Sequence, residues 1–152
     1  MSRVLKTLAA AVLCATVLAG CDVSVDHETE VEWLNAPGNE GRPFSSAVRV
    51  DKLLFVSGAI GYDVESGALV DGGIQPETKK TLENIAETLE MFGSSMDKVV
   101  KCTVFLADID EWGAMNEVYV TFFSNKPARS ALGANGLALG ARTEIECIAV
   151  VD

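Results

Sequence analysis

From residue 44 to Val151 the apolar residues switch between two repeat lengths, and a chain with that rhythm must build both strands and helices. Residues 44–50 and 53–60 read as two strands, with Asp51-Lys52 as a tight connection. The glycine-rich stretch 61–73 reads as a loop. A helix follows, with Pro76 suited to its first turn and Glu77 complementing its positive end. Leu82, Ile85, Ala86 and Leu89 form one apolar stripe, and Gly93 suits the stop. Residues 99–107 make a third long strand. Asp110 opens a second helix, whose stripe is Trp112, Met115, Tyr119 and Phe122 and whose end is Asn125-Lys126-Pro127. Residues 128–134 and 144–151 are the last strands, joined by a glycine-rich connection. The order β-β-α-β-α-β-β predicts an α+β domain with two helices on one face of a mixed sheet. No element is left to cover the other face, which implies an oligomer.

The N-terminus has a different grammar. Arg3 and Lys6 make a positive start, and an apolar run from Leu8 to Leu18 holds Thr16 as its one polar residue. That run is too short to span a bilayer comfortably as a mature helix. Leu18-Ala19-Gly20-Cys21 then has the pattern of a lipobox, in which the Cys21 thiol receives a diacylglycerol before cleavage. Residues 1–20 are therefore expected to be a lipoprotein signal peptide, 21–43 a lipidated tether and lead-in, and 44–152 the folded domain. The expected location is outside the cytoplasm, on the periplasmic side of a bacterial membrane, held through Cys21. Asp22 favours the inner membrane.

Charge narrows the partners. The chain carries 12 basic and 22 acidic residues, a net charge of −10, and the signal removes two basic residues and no acid. Such a surface repels nucleic acid and anionic head groups, so neither is expected as a partner. Of the four cysteines, Cys14 leaves with the signal and Cys21 is lipidated. Cys102 and Cys147 sit in apolar strand-like runs and are read as buried free thiols, with a disulfide open in an oxidising compartment. No C-x-x-C spacing occurs, and His27 is the only histidine, so no metal site is expected.

An ordered set of motifs resembles the RidA (YjgF) family of enamine/imine deaminases. They are Pro43-Phe44-Ser45-Ser46-Ala47-Val48, Phe55-Val56-Ser57-Gly58, Leu82-Glu83-Asn84-Ile85, Val100-Lys101-Cys102-Thr103-Val104-Phe105-Leu106, Met115-Asn116-Glu117-Val118-Tyr119, Pro127-Ala128-Arg129-Ser130 and Glu144-Ile145-Glu146. The resemblance implies a chorismate-mutase-like protomer and a homotrimeric barrel with active sites in the clefts between protomers. It implies hydrolytic deamination of 2-aminoacrylate-type enamines and imines to 2-keto acids and ammonia, with no cofactor.

The resemblance also assigns roles. Taken alone, Arg129 after Pro-Ala reads as a surface or ion-pair residue. In the family the matching arginine clamps the substrate carboxylate, a task that suits a planar, permanently charged fork. Glu144 and Glu146 share one strand face. Glu144 matches the glutamate that holds a water near the substrate, whereas Glu146 reads equally well as a solvated residue. The Gly58 carbonyl would meet the substrate nitrogen, beside Ser57. Asn116 reads as a packing residue or part of the cleft rim, and Asn84 as a local structural hydrogen-bonder. The sequence departs from the family at Phe44, where tyrosine is common, at Ala131, where cysteine is common, and at Ala59, where glutamine is usual. The changes at Phe44 and Ala131 thin the polar lining. They leave a second reading open, a non-catalytic trimer that binds or senses small carboxylates at the membrane.

Overall fold

The computed structural model describes residues 28–152; the signal peptide, Cys21, Asp22 and His27 lie outside the described residues. Its centre is an 18-residue helix, α1 (Ile74–Met91). Leu82, Ile85 and Leu89 of the expected stripe are fully buried. Ala86 is half-buried at the stripe's edge. Thr78 and Thr81 are buried as well, and each hydroxyl donates to a carbonyl one turn back, Ile74 and Glu77. Gly93 stops the helix with φ 83°. The Gly93 N–H donates to the Glu90 carbonyl and the Ser94 N–H to that of Leu89, a complete Schellman closure that needs a residue at ease with positive φ.

The helix packs on a six-stranded sheet. Its strands are β1 (Val31–Leu34), β2 (Ala47–Val50), β3 (Leu53–Ile60), β6 (Val99–Leu106), β7 (Ala128–Gly133) and β8 (Thr143–Val150), in the order β1-β2-β3-β8-β6-β7. All neighbours are antiparallel except β6 and β7, which run parallel and are bridged by the second helix, α2 (Trp112–Tyr119). This is the mixed α+β sheet that the two repeat lengths predict. Among the described residues no helix is long and apolar enough to cross a membrane.

Four local expectations are corrected. Residues 31–34, expected within the tether, form edge strand β1, so the folded region begins before residue 44. The strand alternates, with Glu32 pairing at 2.6 Å with Arg49 directly opposite on β2. The 61–73 loop contains a small hairpin, β4 (Tyr62–Asp63) and β5 (Ala68–Leu69). The second helix starts with a 3₁₀ turn at Ile109–Glu111 and ends at Tyr119, leaving Phe122 beyond it but still packed on the core. Cys102 and Cys147 are joined by a disulfide. They are direct partners in the β6–β8 register, and both face the helices, which brings the two sulfurs together in the core.

The core lies between the sheet and the helices, where Leu54, Val104, Leu106, Met115 and Ile145 are fully buried. The opposite face has no cover within the protomer. Register places Trp33, Val48, Phe55 and Ile148 in one apolar row across four strands, beside a second row of Val31, Val50, Leu53 and Val150. Trp33 is 69 % exposed and Phe55 40 %. A contiguous apolar band of this kind marks an interaction surface.

Candidate active site

Trp112, Met115, Asn116 and Tyr119 project from successive turns of α2, and Arg129 stands on the neighbouring edge strand β7. The Arg129 Nη1 donates to Asn116 Oδ1 at 2.8 Å. Its guanidinium carbon lies 4.5 Å from the Tyr119 ring centroid and 5.3 Å from that of Trp112. The fork is thus held by two aromatic faces and one amide oxygen. Burial pushes the Tyr119 phenol above its ordinary range, against the opposing pull of Arg129, so the ring stays neutral at ordinary pH. Among the described residues no carboxylate pairs with Arg129. A charged fork with its remaining N–H groups unclaimed suits a planar anion. Asn116 therefore positions the arginine, a role more specific than the packing or cleft-rim place that its sequence suggests.

Glu144 is the second residue of β8 and points to the face away from the helices, between buried Thr143 and Ile145. It lies against Gly58 of β3. A Cβ at residue 58 would sit 2.1 Å from Glu144 Oε1, so only glycine leaves the carboxylate its place. Gly58 falls inside β3, where the β3–β8 register shifts between Val56 and Ala59. An irregular ladder of this kind frees backbone groups for a ligand. The Ser57 Oγ donates to the Ser45 carbonyl at 2.7 Å, which fastens the loop before β2 to the site. Phe44, Ser57 and Gly58 line one cavity of about 350 Å³.

The entry to β8 is fixed by Glu77, a residue whose part the sequence does not reveal. Its carboxylate is buried and its Oε1 accepts from the backbone N–H groups of Arg142 at 2.6 Å and Thr143 at 3.1 Å. These are the two residues just before Glu144. The sequence signal was an acidic residue in a helix's first turn, which accounts for the helix end but not for a partner 65 residues away. Asn84 acts as the structural hydrogen-bonder expected, donating to the carbonyls of Ile60 at 3.0 Å and Tyr62 at 2.9 Å. Glu146 is exposed on the open sheet face. Among the described residues no three His, Cys, Asp or Glu side chains group as metal ligands.

The protomer holds these parts as two separate halves. Arg129 and Asn116 line a cavity of about 310 Å³ beside α2, and neither Gly58 nor Ser57 borders it. Strands β3 and β7 are separated by β8 and β6, a span of about 14 Å at ordinary strand spacing. Arg129 also faces the helix side, whereas Glu144 faces the open side.

Residues 34–151 match the family model described as Endoribonuclease L-PSP. The chain belongs to this family, known also as RidA/YjgF. The mouse RidA/YjgF relative named 2-iminobutanoate/2-iminopropanoate deaminase is 46 % identical over 121 residues, covering 79 % of this chain and 89 % of its own. The human protein of the same name is 47 % identical over 121 residues, 79 % of this chain and 88 % of its own. Among solved structures, YyfA of the Rid family from Yersinia pestis superposes with a TM-score of 0.74 at 35 % identity, covering 80 % of this chain and all of that one. RidA from a Psychrobacter species gives 0.70 at 32 % identity, covering 78 % and 94 %. The α+β protomer of RidA/YjgF is therefore the fold of this chain.

Proposed function

We propose that this chain hydrolyses reactive 2-enamine and 2-imine acids to 2-keto acids and ammonia. The observation that carries the reading is Arg129, an arginine with no carboxylate partner, oriented by Asn116 and flanked by two rings. Its fork takes the substrate carboxylate through paired charge-assisted hydrogen bonds. The Gly58 carbonyl accepts from the substrate nitrogen, and Glu144 beside it orients a water and takes its proton as the water adds to the imine carbon. The resulting carbinolamine expels ammonia. The imine is already electrophilic, so holding and shielding it is most of the task. Deaminase activity is the named property of the mouse and human relatives. The nuclease word in the family description finds little support here, because 22 acidic against 12 basic residues oppose a polyanion.

The reaction needs both halves of the site within reach of one small molecule, and the protomer keeps them apart. A homotrimer supplies the remedy: the open apolar face packs against its copies, and Arg129 of one protomer meets Gly58 and Glu144 of another. We further propose that the chain is exported and held at the membrane through Cys21. The support is the ordered signal and lipobox in residues 1–21, together with a core disulfide, a bond that persists in oxidising compartments. A mass spectrum of the native protein lacking a diacylglycerol on Cys21 would contradict that part.

Residues 22–152 supplied with 2-aminoacrylate, generated in situ by a dehydratase under semicarbazide competition, test the activity. The expected result is pyruvate release faster than the buffer control, lost in Arg129→Ala. Release at the buffer rate by folded protein would leave a carboxylate-binding trimer as the reading.

A further inference from the structure

The described residues include Arg42, Arg49, Arg129 and Arg142. Arg49 is neutralised by Glu32 and Arg142 by Glu111. Arg42 and Arg129 have no carboxylate partner among the described residues, in a chain where acids outnumber bases 22 to 12. With carboxylates so abundant, the two arginines left without a carboxylate are the two that border the two halves of the site. Arg129 belongs to the half beside α2. Arg42 belongs to the other, where among the described residues it is the only charged side chain on the cavity that Ser57, Gly58 and Phe44 line.

The loop that carries Arg42 is fastened in place. The Arg42 N–H donates to the Asn39 carbonyl at 3.0 Å. Asn39 is itself buried, and its Nδ2 donates to Asn35 Oδ1 and to the Phe44 carbonyl, each at 2.8 Å. The Arg42 guanidinium carbon lies 5.9 Å from the Phe44 ring centroid, so the apolar ring at position 44 gives the cation a face to rest on. Val56, Ile60 and Val64 form apolar wall around it. The rest of the wall is mixed, with Ser46, Tyr62, Asn84 and Thr88 beside the apolar side chains, and a lone cation on such a wall suits a small ligand with one anionic end.

We propose that Arg42 binds a second, distal carboxylate, so that the preferred substrate is a dicarboxylic 2-imino acid such as 2-iminosuccinate or 2-iminoglutarate. The inference rests on the deaminase reading above: Arg129 takes the carboxylate next to the imine carbon and Arg42 takes the far one. One water adds across the C=N bond, the C–N bond then breaks, and ammonia leaves with the transferred protons. The product is the corresponding 2-oxo dicarboxylate, with both carboxylates unchanged and no electrons exchanged.

The test compares kcat/KM for 2-iminosuccinate, made in situ from aspartate by an amino-acid oxidase with catalase, against kcat/KM for 2-iminopropanoate. Wild type is expected to prefer the dicarboxylate. In Arg42→Leu the preference ratio should fall about 10- to 100-fold, the worth of one charge-assisted contact, and mainly through KM. Arg42→Lys should recover part of it. Calorimetry with the products gives a second reading: 2-oxoglutarate should bind wild type more tightly than pyruvate does, and Arg42→Leu should abolish the difference. An unchanged ratio with 2-iminopropanoate still hydrolysed overturns the Arg42 assignment alone. If wild type hydrolyses neither imine, the deaminase reading fails and this assignment with it.

Discussion

The absence of a side chain at residue 58 is what leaves room for the Glu144 carboxylate. A methyl there would collide with Oε1 at 2.1 Å, and the flexible end of Glu144 would swing away more readily than either strand would move. Gly58→Ala is therefore expected to cost little stability, within about 1 kcal/mol, while removing most of the turnover. Thermal unfolding alongside pyruvate release checks both halves of that statement; a large fall in Tm with turnover per folded molecule intact would contradict it. The sequence marks Gly58, Glu144 and Arg129 only through their motifs. That Gly58 and Glu144 touch follows from the β3–β8 register, and no spacing along the chain encodes it. Asn116 was legible as a neighbour of the cleft, but its bond to Arg129 required knowing that α2 lies over β7.

At the scale of elements, α1 and β8 depend on one another through Glu77. Glu77→Ala would leave the N–H groups of Arg142 and Thr143 without their acceptor in a buried place, at a cost of about 1–3 kcal/mol. Chemical denaturation of the variant should show that loss, and Glu77→Gln, which keeps an acceptor oxygen, should show less of it. The stripe of α1 and its stop at Gly93 were readable because a helix buries a face that its own sequence repeats. Strand β1 was not: it is short, sits at an edge and alternates with glutamate in a polar stretch, so its pairing with β2 has no local signature. The disulfide was hidden for a related reason. Two cysteines in separate apolar runs pack as hydrophobes unless register makes them partners, and the β6–β8 register does so. The bond closes a separation of 45 residues, which by chain entropy is worth about 4 kcal/mol. Reduction, or the Cys102→Ala/Cys147→Ala pair, should lower the stability by about 2–4 kcal/mol, read from the denaturation midpoint. An unchanged midpoint would argue that the thiols are unjoined in solution.

The whole molecule explains why neither half of the site suffices. One protomer presents an aromatic-flanked arginine at β7, a carboxylate and an irregular strand at β3 and β8, and a wide apolar band on the open face of the sheet. The uncovered face was foreseen from the count of elements, because two helices cover one side of such a sheet and nothing remains for the other. Sites in the clefts between protomers were implied by the family resemblance, but which residues fall in which half was not legible, since it depends on the strand order β3-β8-β6-β7. The measurement that bears most directly on this account is complementation between Arg129→Ala and Glu144→Gln chains. Each variant alone should release pyruvate at the buffer rate. Co-assembled in equal amounts, they should regain about a quarter of wild-type activity, the chance that a random neighbouring pair in a ring contributes one intact arginine and one intact glutamate. Mixed assemblies as inactive as their parents would contradict a site shared between copies of the chain.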